Sequence, residues 1–256
     1  MPKALGWIRQ FHKPTSEGRP LLVVFPHAGS GASTYRGFSK RFSADFDVAV
    51  VQYPGRQDRA AEPIPATIAE LAAGALAEFL KSPYRRDVPV TAFGHSMGAM
   101  VAFEFVRQAE AAGVEVALLG VSSAVAPPLV VDQPPHPDED EALLDRLAAL
   151  DGTGADLLAN REIMRMALPV LEADYRAFDS YVCDPDVQVH APIQALGGAA
   201  DEFVTVAHLR AWAAHSRSGY AVTLFDGGHF YLHDHVDGIA EMLAAAVRER
   251  QSVSPR

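Results

Sequence analysis

The sequence predicts a mostly parallel, doubly wound α/β sheet carrying a helical insertion, and three observations predict it. Short runs that are apolar throughout recur along the chain. Strands of that kind are buried on both faces, as in parallel sheets. Segments with apolar residues at helical spacing alternate with those runs, the rhythm of an α/β fold. One interval, residues 124–190, separates two strands by 67 residues, far more than a simple crossover needs.

The strands are expected at Leu21–Pro26, Val48–Tyr53, Val88–Phe93, Val114–Val121, Ile193–Leu196 and Ala221–Phe225. Between them, Ile68, Leu71, Ala72, Ala75, Leu76, Phe79 and Leu80 recur at i, i+3, i+4 and i+7, so a helix over Ile68–Leu80 turns one stripe to the sheet. Met100–Ala112 and Val236–Arg248 follow the same pattern. The insertion, about 126–190, opens with Pro127-Pro128 and Pro134-Pro135 and then offers helices near Asp138–Leu150 and Glu162–Tyr181. Acids at 138–141 suit the positive end of the first helix dipole. Ile163, Met166, Ala167, Val170, Leu171 and Tyr175 form an apolar stripe on the second, which Pro169 should kink. Two amphipathic helices set over a sheet are expected to form a lid, with Met166 and Val170 lining a channel beneath it.

Composition narrows the function. Ordinary globular content, 49% hydrophobic and 21% charged over 256 residues, suits one large domain. The net charge of −10 argues against a nucleic-acid partner, which would want a basic surface. A single cysteine, Cys183, can form no internal disulfide and no thiolate zinc site. No signal peptide and no apolar run of membrane-spanning length is evident. A cytoplasmic, monomeric enzyme or binding protein without a metal is the expectation.

The chemistry concentrates at Gly94-His95-Ser96-Met97-Gly98. A Gly-x-Ser-x-Gly pentapeptide occurs by chance, but here a strand leads into it and a helix leaves it, which is the setting of a nucleophile elbow. A serine hydroxyl needs a base, and the base needs an orienting acid. His229 is the best placed of ten histidines, since Asp226-Gly227-Gly228 carries it past the end of a strand. For the acid, Asp201 follows the preceding strand after Gly197-Gly198-Ala199-Ala200, and chain order favours it. Glu202 and Asp226 are the rivals. The backbone N–H groups of Met97 and of Ala28, in the glycine-rich loop after the first parallel strand, are the candidate oxyanion donors. His27 and His95 read as hydrogen-bonded loop residues, and His233 and His235 as helix-cap residues in preference to metal ligands.

These motifs together resemble the stand-alone (type II) thioesterases of polyketide and nonribosomal-peptide assembly lines, members of the α/β-hydrolase superfamily. Pro26-His27-Ala28-Gly29, Tyr53-Pro54-Gly55-Arg56-Gln57-Asp58-Arg59, the elbow, Leu168–Tyr175 and Gly227-Gly228-His229-Phe230 carry the resemblance. The Pro-Gly-Arg-x-x-Arg element is the most specific, because generic esterases share the elbow but lack it. The family often has Ser-Gly where this chain reads Ser122-Ser123, and paired glycines where it reads Asp151-Gly152; both departures bear on substrate choice.

The resemblance implies hydrolysis of acyl thioesters from the phosphopantetheine arm of an acyl or peptidyl carrier protein, clearing stalled or mis-primed chains without any cofactor. It also brings Phe230 to the substrate side of the histidine loop. A carboxylesterase acting on small esters and a catalytically silent binding module stay open as alternatives. Because carrier proteins are acidic, docking to an acidic enzyme would need local positive charge. Arg59, Arg85 and Arg86 are the expected patch near the tunnel mouth, although Arg56 and its neighbours could equally tie loops together.

Overall fold

A computed structural model describes residues 6–16, 18–86, 88–151 and 161–253, with backbone alone at 147, 148, 151, 161–167 and 250–253. Seven strands form one sheet: β1 (Ile8–Arg9), β2 (Leu21–Phe25), β3 (Asp47–Val51), β4 (Val90–His95), β5 (Val116–Ser122), β6 (Ile193–Gly198) and β7 (Tyr220–Phe225). Their spatial order is β1-β3-β2-β4-β5-β6-β7. Only β1 runs antiparallel, pairing β3 at the edge.

The uniformly apolar runs have the burial that pattern foretells. Every residue of β2, β3, β4 and β6 is buried. Alternate side chains of β2 enter two cores: Leu21, Val23 and Phe25 on one face, Leu22 and Val24 on the other. The first core is closed by α2 (Ile68–Lys81) and α3 (Met97–Ala111), the second by α1 (Arg36–Phe42) and α7 (Val236–Val253). The stripe from Ile68 to Phe79 is buried as its spacing requires, whereas Leu80 is exposed. β7, at the opposite edge, is only partly covered.

Three elements have no clear signal in the sequence. β1 has two residues, too few for any periodicity. Helix α1 carries Arg36, Lys40 and Arg41 around just two core phenylalanines, Phe38 and Phe42. A further short helix, α6 (Val206–Ala211), is held by a Thr205–His208 capping box. Helix α3 begins three residues earlier than its apolar stripe suggests, because the turn at Ser96 enters it directly.

Between β5 and β6 lies the insertion, with α4 (Asp140–Asp151) and α5 (Arg161–Asp179) packed on each other. Helix α5 continues past Pro169 to Asp179. No helix among the described residues is long and apolar enough to cross a membrane.

From β2 the chain moves outward to β3, then returns across β2 to begin β4 and winds the other way. The order therefore reverses between β2 and β4, and the carboxyl ends of strands at such a switch point are where α/β sheets hold ligands. Phe25 is in register with Gly94, so the loop after β2 and the turn after β4 emerge side by side.

That closeness depends on glycine. A Cβ on Gly98 would collide with the carbonyl oxygens of Phe25 and Pro26, and one on Gly94 with the backbone of Gly98. Gly98→Ala is expected to lower stability by about 3 kcal/mol or the largest cost typical of an overpacked site, a fall in Tm of at least about 5 °C. Gly37→Ala, in exposed α1 with nothing near its added methyl, should instead add ~0.5–1 kcal/mol. Calorimetry of the two variants reads the opposite signs.

Candidate active site

Ser96 sits at the apex of the turn between β4 and α3 with φ 54° and ψ −126°. Backbone held outside the common wells costs roughly 1–3 kcal/mol and needs surroundings that fix it. Here the Ser96 N–H donates to Ser122 O at 2.8 Å, tying the turn to the neighbouring strand. The half-buried serine borders two cavities of about 280 and 230 Å³.

His229 lines the larger cavity with Ser96. Its Nδ1 lies 2.9 Å from Asp201 Oδ2, and both residues are buried. The other carboxylate oxygen, Oδ1, accepts the N–H groups of Phe203 and Val204, each at 3.0 Å. Burial works to raise the Asp201 carboxyl, but His229 and those two N–H groups outweigh it and hold the group below the ordinary carboxylate range. A fixed carboxylate on Nδ1 leaves Nε2 as the nitrogen for proton transfer. The rivals do not reach this position. Glu202 is exposed on the cavity rim, and exposed Asp226 uses its carbonyl to accept from His235.

The two loops meet because their backbones interlock. Ala199 N–H donates to Phe225 O and Ala200 N–H to Gly227 O, while a Cβ on Gly198 would strike Gly228 O. Ser123 adds a second hold, its Oγ donating to His229 O at 3.2 Å.

On the loop after β2, the N–H of Gly29 donates to Asp174 and that of Ser30 to His27 O. Both N–H groups are thereby engaged within the protein, and Ala28, between His27 and Gly29, lines the 230 Å³ cavity with Ser96. His27 Nδ1 contacts Tyr35 OH at 2.9 Å, and His95 Nδ1 contacts Ser122 Oγ at 2.9 Å. Burial first, then the nearby His229, lowers both imidazoles, His27 to about 3.

Arg56 reaches the insertion. Its Nη1 and Nη2 donate to Asp174 of α5 at 2.6 and 2.8 Å, and Nη1 also reaches Ser30 O at 3.2 Å. Asp174 falls within the stretch Leu168–Tyr175 that carries the resemblance, but the sequence assigns it no role. The 230 Å³ cavity is lined by Ala28, Leu171, Tyr175 and Phe230 among others. Val170 is half-buried and lines neither cavity at Ser96; Leu168, Leu171 and Tyr175 form the buried stripe instead. The side chain of Met166 lies outside the described residues, as does Gly152.

The three arginines expected at a docking patch are elsewhere. Arg59 is buried, donating to Gln52 O at 2.8 Å, pairing with Glu62 and lying 4.6 Å from the Trp7 ring centre. Arg85 and Arg86 precede β4, whereas Ser96 follows it, so they belong to the amino edge of the sheet. Arg86 pairs there with Asp47, the first residue of β3. Six strand residues at about 3.3 Å each put them ~20 Å from the serine. The order was already legible in the sequence, since Arg85 and Arg86 stand before the expected strand Val88–Phe93 and Ser96 after it.

The family model for the thioesterase domain matches residues 20–247. The chain is 42% identical to phenyloxazoline synthase MbtB of Mycobacterium tuberculosis over 96% of its own length and 17% of that synthase. It is 38% identical to thioesterase PikA5 of Streptomyces venezuelae, over 89% of this chain and 80% of that one. Among solved structures, the type II thioesterase BorB from the borrelidin biosynthetic cluster superposes with TM-score 0.82 at 39% identity, covering 94% and 97% of the two chains. The sheet and its helices are thus those of α/β-hydrolase thioesterases.

His27 supplies a test of the buried surroundings. An unfolded histidine takes its proton near pH 6.5, but the folded one only near pH 3. The stability it allows is complete above about 6.5 and is lost as pH falls from there towards 3. Asp201, with its lowered carboxyl, adds to acid loss only below the ordinary carboxylate range. Tm should therefore decline between pH 7 and 5, and His27→Asn should make that decline shallower without abolishing it, because buried His95 acts in the same window. An equally steep decline in the variant, measured by thermal unfolding, contradicts the burial effect.

Proposed function

We propose that this chain, which belongs to the thioesterase-domain family, is a serine thioesterase that hydrolyses acyl groups from the phosphopantetheine thiol of a carrier protein in an assembly-line synthase. One observation carries the reading. A histidine oriented by a buried carboxylate at 2.9 Å shares a cavity with a serine on a strained strand-to-helix turn.

In the first half-reaction Ser96 Oγ attacks the thioester carbonyl while His229 Nε2 takes its proton. The carbonyl π electrons move to oxygen, and the N–H groups of Ala28 and Met97 receive that charge at the start of α3. Collapse of the intermediate breaks the C–S bond, and the imidazolium returns its proton to the leaving thiolate. Water then repeats the sequence on the acyl-enzyme: His229 takes its proton, the C–O bond to Ser96 breaks, and the serine recovers the proton as the acid leaves. Asp201 stays ionised throughout and keeps the imidazole in one tautomer.

Helices α4 and α5 act as the lid of the acyl site, with α5 tied to the oxyanion loop through Asp174. The names of the relatives, among them a probable cadicidin biosynthesis thioesterase, support a carrier-bound substrate for this chain.

Ser96→Ala should reduce turnover by about 10³-fold or more with the fold intact, and Asp201→Asn should be comparably severe. Mass spectrometry of an acyl-loaded carrier protein before and after incubation reads the loss of the acyl mass. Retention of most activity in Ser96→Ala defeats the proposed mechanism. A severe Glu202→Gln beside a mild Asp201→Asn would transfer the acid role.

A further inference from the structure

The larger cavity at Ser96 and His229 has a polar wall on its insertion side, formed by Gln133, His136 and Arg146 with Tyr175 and Phe178. Two of these polar groups are already engaged. His136 stacks on Tyr175 with ring centres 3.7 Å apart and meets Asp179 at 2.7 Å. Gln133 donates to Leu129 O at 3.2 Å.

Arg146, on α4, is different. Its guanidinium lies over the Phe203 ring, 3.6 Å from the centre. Its Nε is buried without an acceptor, and among the described residues the side chain forms no ion pair. Stacking uses the face of a guanidinium and leaves the five N–H donors at its edge. A buried donor without an acceptor is costly, and an acceptor supplied by a bound molecule removes that cost.

We infer that Arg146 is a specificity-determining residue that donates to an oxygen on the acyl chain, so that chains bearing a ketone are favoured over unsubstituted chains of equal length. The inference rests on the thioesterase reading. A neutral oxygen fits better than a carboxylate, because Glu202 already lines this cavity and the buried Asp201 carboxylate, next in sequence, already acts on Arg146. A third carboxylate would face both.

The test compares N-acetylcysteamine thioesters of hexanoate, 3-oxohexanoate, 5-oxohexanoate and adipate on the full chain. The readout is the ratio of kcat/KM for each oxo substrate to that for hexanoyl, in wild type and in Arg146→Met. Comparing ratios between enzymes cancels the differing intrinsic reactivity of the thioesters. Loss of a hydrogen bond to a charged donor should lower the ratio for at least one oxo substrate about tenfold or more, whatever happens to the hexanoyl rate itself. Arg146→Lys, which keeps a charged donor, should restore part of that ratio.

Equal losses on all substrates would make Arg146 a lid-packing residue and overturn the inference. Preference for adipyl over both oxo substrates, abolished in Arg146→Met, would overturn the neutral-oxygen class. Wild-type enzyme that hydrolyses hexanoyl without any discrimination defeats the inference alone. Failure to hydrolyse any of the four would remove the thioesterase reading with it.

Discussion

The buried pair between Arg56 and Asp174 is the constraint on which the site depends. Both side chains are nearly inaccessible, and two short N–H···O bonds join them. Burying two charges is costly, and such a pair is often no more stabilising than an apolar substitute would be. What it supplies here is placement. Arg56 belongs to the loop after β3, Asp174 to α5, and Asp174 Oδ2 also accepts Gly29 N–H at 2.8 Å from the loop after β2. Three segments far apart in sequence are thereby held at one point. The loop that carries Ala28 to the cavity wall cannot shift without breaking a charge-assisted bond, and neither can the helix that supplies Leu171 and Tyr175 to that wall.

Asp201 does comparable work on the other side. One oxygen faces His229, and the other is occupied by two N–H groups of its own loop. A carboxylate anchored in this way presents one fixed acceptor to the imidazole. The second anchored residue of that loop, Phe203, lies under the Arg146 guanidinium. Each helix of the insertion is therefore joined to a loop of the site: α5 to the loop of Ala28, α4 to the loop of Asp201. The contacts that join the insertion to these loops also shape the cavities at Ser96.

The legible part of this architecture is what sequence-local physics determines. Continuous apolar runs gave the central strands, because burial on both faces leaves no polar alternation. The helical stripe at Ile68–Phe79 and the Gly-x-Ser-x-Gly turn are equally local, and the station of Asp201 just past the strand before that of His229 set it apart from Asp226, which chain order admits as well but which lies too close to His229 in sequence. What escaped depends on pairing across distance. Nothing near Asp174 indicates that its partner is 118 residues away. Arg59 reads as a surface charge until Trp7 and Glu62 are found around it, and of the predicted α5 stripe Leu171 and Tyr175 reach the cavity at Ser96 while Val170 does not. β1 and α1 are too short, or too charged, to carry a period of their own.

The substitution at position 123 joins these threads. Ser96 and Ser123 each follow the last residue or two of adjacent strands, β4 and β5, and both have positive φ, 54° and 43°. Glycine would take the second conformation without strain, which accounts for its frequency there in the resembling family. This chain keeps a side chain instead, and the surroundings hold it: Ser123 N–H donates to Leu196 O at 2.8 Å, and Oγ donates to the carbonyl of His229. The neighbouring Ser122 closes the arrangement, its carbonyl accepting from Ser96 N–H and its hydroxyl lying between His95 and Tyr231. The strained serine therefore contributes a hydrogen bond that glycine could not make, directed at the backbone of the histidine. Ser123 also lines the cavity that Ser96 and His229 share, so the residue that steadies His229 is part of the wall beside the two of them.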